Sequence, residues 1–279
     1  MRRRCGVLGS PIAHSLSPTL HRAAYEALGL DWVYDAHDVD EVGLPAFLAG
    51  LGSEWRGLSL TMPLKSAVIG LCSSVSEQAR MVGAANTVLA EPAGELVGLN
   101  TDVPGFVSAW QEAGITDVDT AVVLGSGATA RSAVAALAEM GARRVTVLAR
   151  SLVNANVVAS LADRLGLAGA VRDWSDIGGL GNVDLLVSTL PASAVGSLEP
   201  VLDTLVDRVA AVTDVAYGPL ATPLVWEARR LGLSVVEGLD LLLHQAVRQV
   251  ELMTGLAPAP VERMRASGLA ELARRERSS

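Results

Sequence analysis

The sequence is poor in the residues that usually announce a metal site, a disulfide framework or a membrane anchor. It has two cysteines, four histidines and only 4% aromatic residues. Cys5 and Cys72 lie far apart with no histidine or cysteine at ligand spacing, so neither a disulfide framework nor a zinc site is expected. No apolar run approaches the roughly 18 residues that a membrane span requires. The basic start, Met1-Arg-Arg-Arg-Cys5, is followed by Val7 and Leu8 and then at once by Gly9-Ser-Pro. That is too short for the apolar part of a signal peptide. The arginines read as a solvated tail before the first strand, and a reducing cytoplasm is the expected compartment. Positive charge is also in short supply: 22 Lys and Arg against 30 Asp and Glu give a net charge of −8. This argues against nucleic acid as a partner, though an anionic small molecule answers to local charge alone.

What the chain does have is apolar bulk, 50% of its 279 residues, most of it Ala, Val and Leu. This composition suits α/β layers with buried parallel strands, and the length suits two domains. Residues 4–8 read as a strand running into Gly9-Ser-Pro-Ile-Ala-His-Ser-Leu-Ser-Pro18. Ser17-Pro18 reads as a helix start, with serine as N-cap, and helical spacing continues from Leu20 to Leu28 before Gly29. Ser15 and Ser17 would then sit at the positive end of a helix. They either cap it or hold a carboxylate or phosphate there.

A second strand is expected over Trp32–Val39, a short helix over Leu44–Gly50 and a third strand over Gly57–Leu60. The third strand delivers Thr61 and, past a proline, Lys65 in the first turn of a helix. A hydroxyl and an ammonium at a strand end can form a polar site, since open α/β sheets bind ligands at strand carboxyl ends; a solvated surface lysine is the alternative. A helix over Val75–Val82 and strands near Thr87–Val88 and Leu96–Leu99 follow, the latter two flanked by Asn86 and by Asn100-Thr-Asp102. Pro104 is expected to open the next helix, with Asp102 as a candidate N-cap.

After about residue 118 the character changes. The strand Thr120–Leu124, the loop Gly125-Ser-Gly-Ala-Thr-Ala130, an Ala-rich helix to Met140 and the strand Arg144–Ala149 lie within about 30 residues, the context a dinucleotide fingerprint needs. An NAD site wants an acidic residue after the second strand. Here Ala149-Arg150-Ser151 supplies an arginine and a hydroxyl, which suit a 2′-phosphate and hence NADP. Further strands are expected at Val183–Val187, Val209–Val212 and Leu233–Val236. A long apolar helix over Leu239–Thr254 starts after Gly238, and a charged amphipathic helix closes the chain.

The blocks Gly9-Ser-Pro-Ile-x-His-Ser-x-Ser-Pro18, Thr61-x-Pro-x-Lys65, Gly83-Ala-x-Asn86-Thr87 and Asn100-Thr-Asp102 resemble the shikimate dehydrogenase family. So do the glycine loop, the run Asp214-x-x-Tyr217-x-Pro219-x-x-Thr222-Pro-Leu224 and the helix from Gly238 to Gln245, all in the family's order. The resemblance implies a two-domain α/β fold. A substrate domain over 1–102, completed by 239–279, would carry an inserted Rossmann-like NADP domain over 103–238. It also implies reversible NADPH-dependent reduction of 3-dehydroshikimate to shikimate, in aromatic amino acid and chorismate biosynthesis. By position, Ser15 and Ser17 would hold the substrate carboxylate. Thr61, Lys65, Asn86, Asp102 and Gln245 would surround the ring hydroxyls and the carbonyl, with Tyr217 a further substrate contact. Lys65 paired with Asp102 would be the catalytic group. Gly125, Ser126, Gly127, Ala128, Thr129, Ala149, Arg150, Ser151, Val215 and Gly238 would bind the cofactor. Glu77 falls at a position sometimes given to the cofactor and equally suits a helix first turn. A homodimer is an allowed partner state.

Several positions depart from the family: Ser59 for Asn, Ala128 for a third loop glycine, Asn154 for a second basic residue, Leu241 for Met, and Ser188-Thr-Leu-Pro191 as a loose strand end. His14 is expected to orient the serine loop, and His244 to be packed or on the surface. The alternatives are a quinate/shikimate dehydrogenase with broader substrate or NAD use, a non-catalytic dinucleotide-binding sensor and, more remotely, a methyltransferase.

Overall fold

The computed structural model describes residues 2–174, 176, 180–191, 194, 202–218 and 220–278. Two compact units emerge. One comprises Met1–Thr101 and Leu242–Ser279, the other Asp102–Leu241.

The first unit opens with β1 (Arg3–Gly9), α1 (Ser17–Ala27), β2 (Trp32–Asp38), α2 (Leu44–Ala49), β3 (Trp55–Leu60) and α3 (Leu64–Ala67). It continues with β4 (Ser74–Val75), α4 (Glu77–Val82), β5 (Thr87–Ala90) and β6 (Leu96–Leu99). Its sheet has the order β2-β1-β3-β5-β6-β4. β1 runs parallel to both neighbours, while β5 is antiparallel to β3 and β6. Because β1 and β3 are parallel and adjacent, the serine loop and the Thr61 turn leave the sheet side by side.

The second unit contains α5 (Asp102–Glu112), β7 (Thr120–Leu124), α6 (Ala128–Glu139), β8 (Arg144–Leu148), α7 (Leu152–Arg164) and β9 (Ala168–Arg172). Next come β10 (Val183–Ser188), α8 (Leu202–Val206), β11 (Val209–Asp214), α9 (Pro223–Arg230) and β12 (Ser234–Glu237). The sheet is parallel throughout, in the order β9-β8-β7-β10-β11-β12. Numbered along the chain, that is the doubly wound 3-2-1-4-5-6 order, whose direction reverses between β7 and β10. Val122, Val123, Leu124, Leu185, Leu186 and Val187 are buried in the two strands that meet at this point. Helices on both faces explain why these runs are continuously apolar rather than alternating.

α10 (Gly238–Thr254) and α11 (Val261–Glu276) end the chain. Leu243, Val250 and Met253 of α10 join Leu20, Tyr25 and Tyr34 in one buried cluster of the first unit. Each such side chain contributes about 1.5–3 kcal/mol by leaving water. α10 lies so close to β3 that a β-carbon on Gly57 would stand 2.7 Å from the Met253 side chain. α11 packs on α1.

Local expectations are corrected at four points. Ser17 is the first helical residue of α1 rather than its N-cap; Leu16 holds that position without a side-chain bond. The helix expected over Val75–Val82 begins at Glu77. Ser76 caps it by accepting from the Ala79 N–H, and Ser74–Val75 pair instead with β6. α5 starts at Asp102, two residues before Pro104, since proline is tolerated within a first turn. β9 is an additional strand; its sequence, Ala168-Gly-Ala-Val-Arg172, has too few β-branched residues to announce itself. Pro219 of the Asp214–Leu224 run lies outside the described residues.

Candidate active site

In the first unit two turns are laced together. The Ser10 N–H donates to the Met62 carbonyl at 3.1 Å and the Thr61 N–H to the Leu8 carbonyl at 2.9 Å. A β-carbon on Gly9 would overlap the Thr61 side chain and stand 2.9 Å from the Met62 oxygen, so only glycine permits this approach. Lys65 is the second residue of α3 and is half-buried. Its carbonyl accepts from the Ala85 N–H at 2.7 Å, which brings the Gly83–Asn86 segment alongside. Ser15 Oγ accepts from the Ser17 N–H at 3.2 Å, so the hydroxyl at the start of α1 belongs to Ser15. His14 is exposed, and its carbonyl accepts from Arg275 of α11 at 2.7 Å; the backbone rather than the imidazole ties this loop down.

Asn86 is the centre of a buried polar cluster. Its amide Nδ2 donates to Thr101 Oγ1 at 2.9 Å and to Gln245 Oε1 at 3.2 Å. Its Oδ1 accepts from the Thr101 N–H at 2.7 Å and from the Thr87 hydroxyl at 3.1 Å. Asn100 Nδ2 donates to the Ala84 carbonyl at 2.9 Å, closing the ends of β5 and β6 together. Gln245 also donates to the Leu242 carbonyl at 2.6 Å. Thus two of the anticipated ring-contacting residues, 159 positions apart, touch directly. Gln249 escaped the sequence reading although it belongs to the same cluster. Its signal was the four-residue spacing from Gln245, which puts two amides on one face of α10. His244, half-buried on that helix, lies off this face.

In the second unit the glycine loop leaves β7 with Gly125 at φ +104°, a conformation L side chains rarely adopt. Gly127 takes the N-cap position of α6, followed by Ala128 and Thr129, and a β-carbon on Gly127 would meet only open space. Free N–H groups at the start of this 12-residue helix, with no side chain over them, fit a pyrophosphate. Ala149 is buried at the end of β8, and Arg150 and Ser151 are exposed beyond it. Ser151 Oγ caps α7 by accepting from the Asn154 N–H at 3.4 Å.

Val215 and Gly238 meet backbone to backbone, since a β-carbon on Gly238 would stand 2.5 Å from the Val215 oxygen. The turn carrying Val215 and the half-buried Tyr217 is anchored by Asp214. That carboxylate accepts from Thr222 Oγ1 at 2.7 Å and from the Ala216 N–H at 3.2 Å. Burial raises the Asp214 pKa, against the lowering effect of these bonds. Asp102 is buried in the first turn of α5, where a negative charge is favoured by the helix end. Glu77 is exposed in the first turn of α4, which needs no ligand to account for it. Among the described residues no group of three His, Cys, Asp or Glu side chains is placed to hold a metal ion, and no helix is long and apolar enough to cross a membrane.

Comparison with known proteins places this geometry. The family profile described as shikimate dehydrogenase substrate binding domain matches residues 7–88, and that described as shikimate 5'-dehydrogenase C-terminal domain matches residues 238–267. The shikimate dehydrogenase (NADP(+)) of Methylobacterium radiotolerans is 40% identical over 282 residues, covering 97% of this chain and 98% of that one. The crystal structure of Mycobacterium tuberculosis shikimate dehydrogenase superposes with a TM-score of 0.87 at 40% identity, covering 96% of this chain and 99% of that one. The Thermus thermophilus shikimate 5-dehydrogenase, solved in complex with NADP(H) and shikimate, superposes with a TM-score of 0.82 at 35% identity over 95% and 98% of the two chains.

Proposed function

Because the chain belongs to the shikimate dehydrogenase family, we propose that Lys65 and Asp102 carry the family reaction here. That reaction is the reversible NADPH-dependent reduction of 3-dehydroshikimate to shikimate, an oxidoreductase step in aromatic amino acid biosynthesis. NADPH supplies the hydride that reaches the ketone carbon. As that carbon–hydrogen bond forms, the carbonyl π electrons move to oxygen, and the site must neutralise the charge. The Lys65 ammonium donates a proton to that oxygen, giving the hydroxyl and a neutral amine that regains its proton from solvent. In the oxidation direction the neutral amine takes the hydroxyl proton. Asp102 holds the lysine's charge and orientation, as a second group orients a catalytic base elsewhere.

Ser15 and Ser17 bind the carboxylate through their hydroxyl groups at the start of α1. Thr61, Asn86 and Gln245 meet the ring hydroxyls, and Tyr217 adds a further contact. Gly125 to Thr129 would hold the pyrophosphate and Arg150 with Ser151 the 2′-phosphate, with Ala149, Val215 and Gly238 as further cofactor contacts. The observation that carries the reading is the Asn86–Gln245 contact next to the turn bearing Lys65. It gathers groups from α3, the segment before β5 and α10 that the sequence scatters over 180 positions.

The test is shikimate-dependent reduction of NADP by purified protein, compared with NAD and with quinate in place of shikimate. NADP with shikimate is the expected best pair; no turnover with that pair overturns the reading. Light scattering on the same sample separates a monomer from a homodimer.

A further inference from the structure

Behind Asn86 and Gln245 lie buried polar groups, Gln249, Ser59 and Tyr34, that no step of the reaction uses. Gln249 is 1% exposed and fully engaged. Its Nε2 donates to the Asn86 carbonyl at 3.1 Å and to Thr87 Oγ1 at 3.0 Å. Its Oε1 accepts from Ser59 Oγ at 2.7 Å and from His21 Nε2 at 3.2 Å.

Proton directions in this chain follow from the groups themselves. An amide oxygen only accepts, so Ser59 and His21 both donate to it. Ser59 has then spent its single proton, and the Tyr34 hydroxyl, 2.6 Å away, donates to Ser59 Oγ. Thr87, having accepted from Gln249, passes its own proton to Asn86 Oδ1 at 3.1 Å. The Tyr34 ring is held by stacking on His21, with centroids 4.0 Å apart and planes at 18°. The chain therefore runs from Tyr34 to Asn86 through Ser59 and Gln249, with the direction of each proton fixed.

His21 Nδ1 is buried without a partner, but both donor sites and the oxygen of Gln249 are engaged, and that favours one arrangement, because any slip of Gln249 leaves further polar groups unpaired at a cost. For stability alone, apolar residues of the same shape would serve. Ser59 is the residue whose small size admits the Tyr34 hydroxyl; a longer side chain there would occupy its place.

We propose that Gln249, locked by Ser59 and Tyr34, is a positioning residue that fixes Asn86, and through it Gln245, for the hydroxyl face of the substrate ring. This rests on the assignment of Asn86 and Gln245 as substrate-binding groups.

The test is steady-state oxidation of shikimate by NADP in the full chain and in Ser59→Ala, Ser59→Thr, Tyr34→Phe and Gln249→Met. Ser59→Ala, Tyr34→Phe and Gln249→Met are expected to raise the KM for shikimate about fivefold or more, the effect of one lost hydrogen bond. The KM for NADP should move by less than about twofold, the scale of a few tenths of a kcal/mol. Ser59→Thr keeps the hydroxyl and is expected to restore the shikimate KM. Should Gln249→Met not fold, Tyr34→Phe and Ser59→Ala carry the result. An unchanged shikimate KM, a parallel rise in both KM values, or no rescue by threonine overturns the positioning role. Asn86→Ala tests the underlying assignment separately: an unchanged shikimate KM in that variant removes both Asn86 as a substrate group and the positioning role built on it.

Discussion

A β-carbon on Gly125 would stand 2.6 Å from Thr189 Oγ1, so the first loop glycine and the first residue past β10 define the gap at the reversal of the second sheet. Thr189 is fixed there by two bonds to the Leu124 carbonyl, from its N–H at 2.9 Å and its hydroxyl at 2.8 Å. Gly125→Ala meets both this contact and a φ of +104°, and strain of that kind costs about 1–3 kcal/mol. Fluorescence titration is expected to show NADPH affinity reduced about tenfold or more, the equivalent of roughly 1.4 kcal/mol. Affinity within twofold of the wild type would mean that the cofactor does not approach this loop.

Lys65→Ala is expected to lower kcat for shikimate oxidation by about 10²–10⁴, the usual contribution of a placed proton-transfer group, with a much smaller change in KM. A large rise in KM with kcat intact would reduce Lys65 to a binding group. Asp102→Asn separates charge from capping. Asparagine serves a helix N-terminus about as well, so a helix-end role predicts normal activity, whereas the pairing with Lys65 predicts a fall in kcat.

Arg150 is exposed just past β8, with Ser151 beside it as the cap of α7. Arg150→Ala is expected to raise the KM for NADP about five- to fiftyfold, as loss of a charge-assisted bond does, while the KM for NAD stays within about twofold. Equal effects on both cofactors would place the 2′-phosphate elsewhere. Asn154 lies exposed at the start of the same helix, so Arg150 is the nearest full charge that this segment offers.

His21 gives the first unit a pH dependence. Burial holds its pKa down at about 3, against an ordinary 6.5, and the bond to Gln249 opposes that only in part. The native state therefore binds this proton less readily than the unfolded chain. Stability is complete above pH 6.5 and declines as the pH falls from there towards 3, at up to about 1.4 kcal/mol per pH unit. At pH 5 the loss relative to high pH is about 2 kcal/mol. His21→Phe keeps the ring stacked on Tyr34 and is expected to flatten that part of the curve. Chemical denaturation of both proteins across this range checks it, and parallel curves would contradict it.

The elements most legible in the sequence were those with a local cause. The glycine loop between two β-branched runs, the Arg150-Ser151 strand end and Gly238 before a long apolar stretch all state their roles within a few residues. Boundaries were blurred where two local signals competed. Ser17-Pro18 reads as a cap and first turn, yet the helix already includes Ser17, and its N–H is met by the Ser15 hydroxyl. Pro104 looked like a helix start, but the helix accommodates it within its first turn.

By itself, the sequence determined the two α/β sheets, the dinucleotide fingerprint and the family, because period, turn chemistry and ordered motifs are properties of neighbouring residues. Only tertiary structure decided that Ser59 is complemented rather than merely tolerated. Its partners, Tyr34 and Gln249, are 25 and 190 positions away, and they meet because α10 packs directly on β3 where Gly57 allows it. A hydrogen-bond chain through a core depends on the distance between elements, and no local pattern of residues encodes that distance.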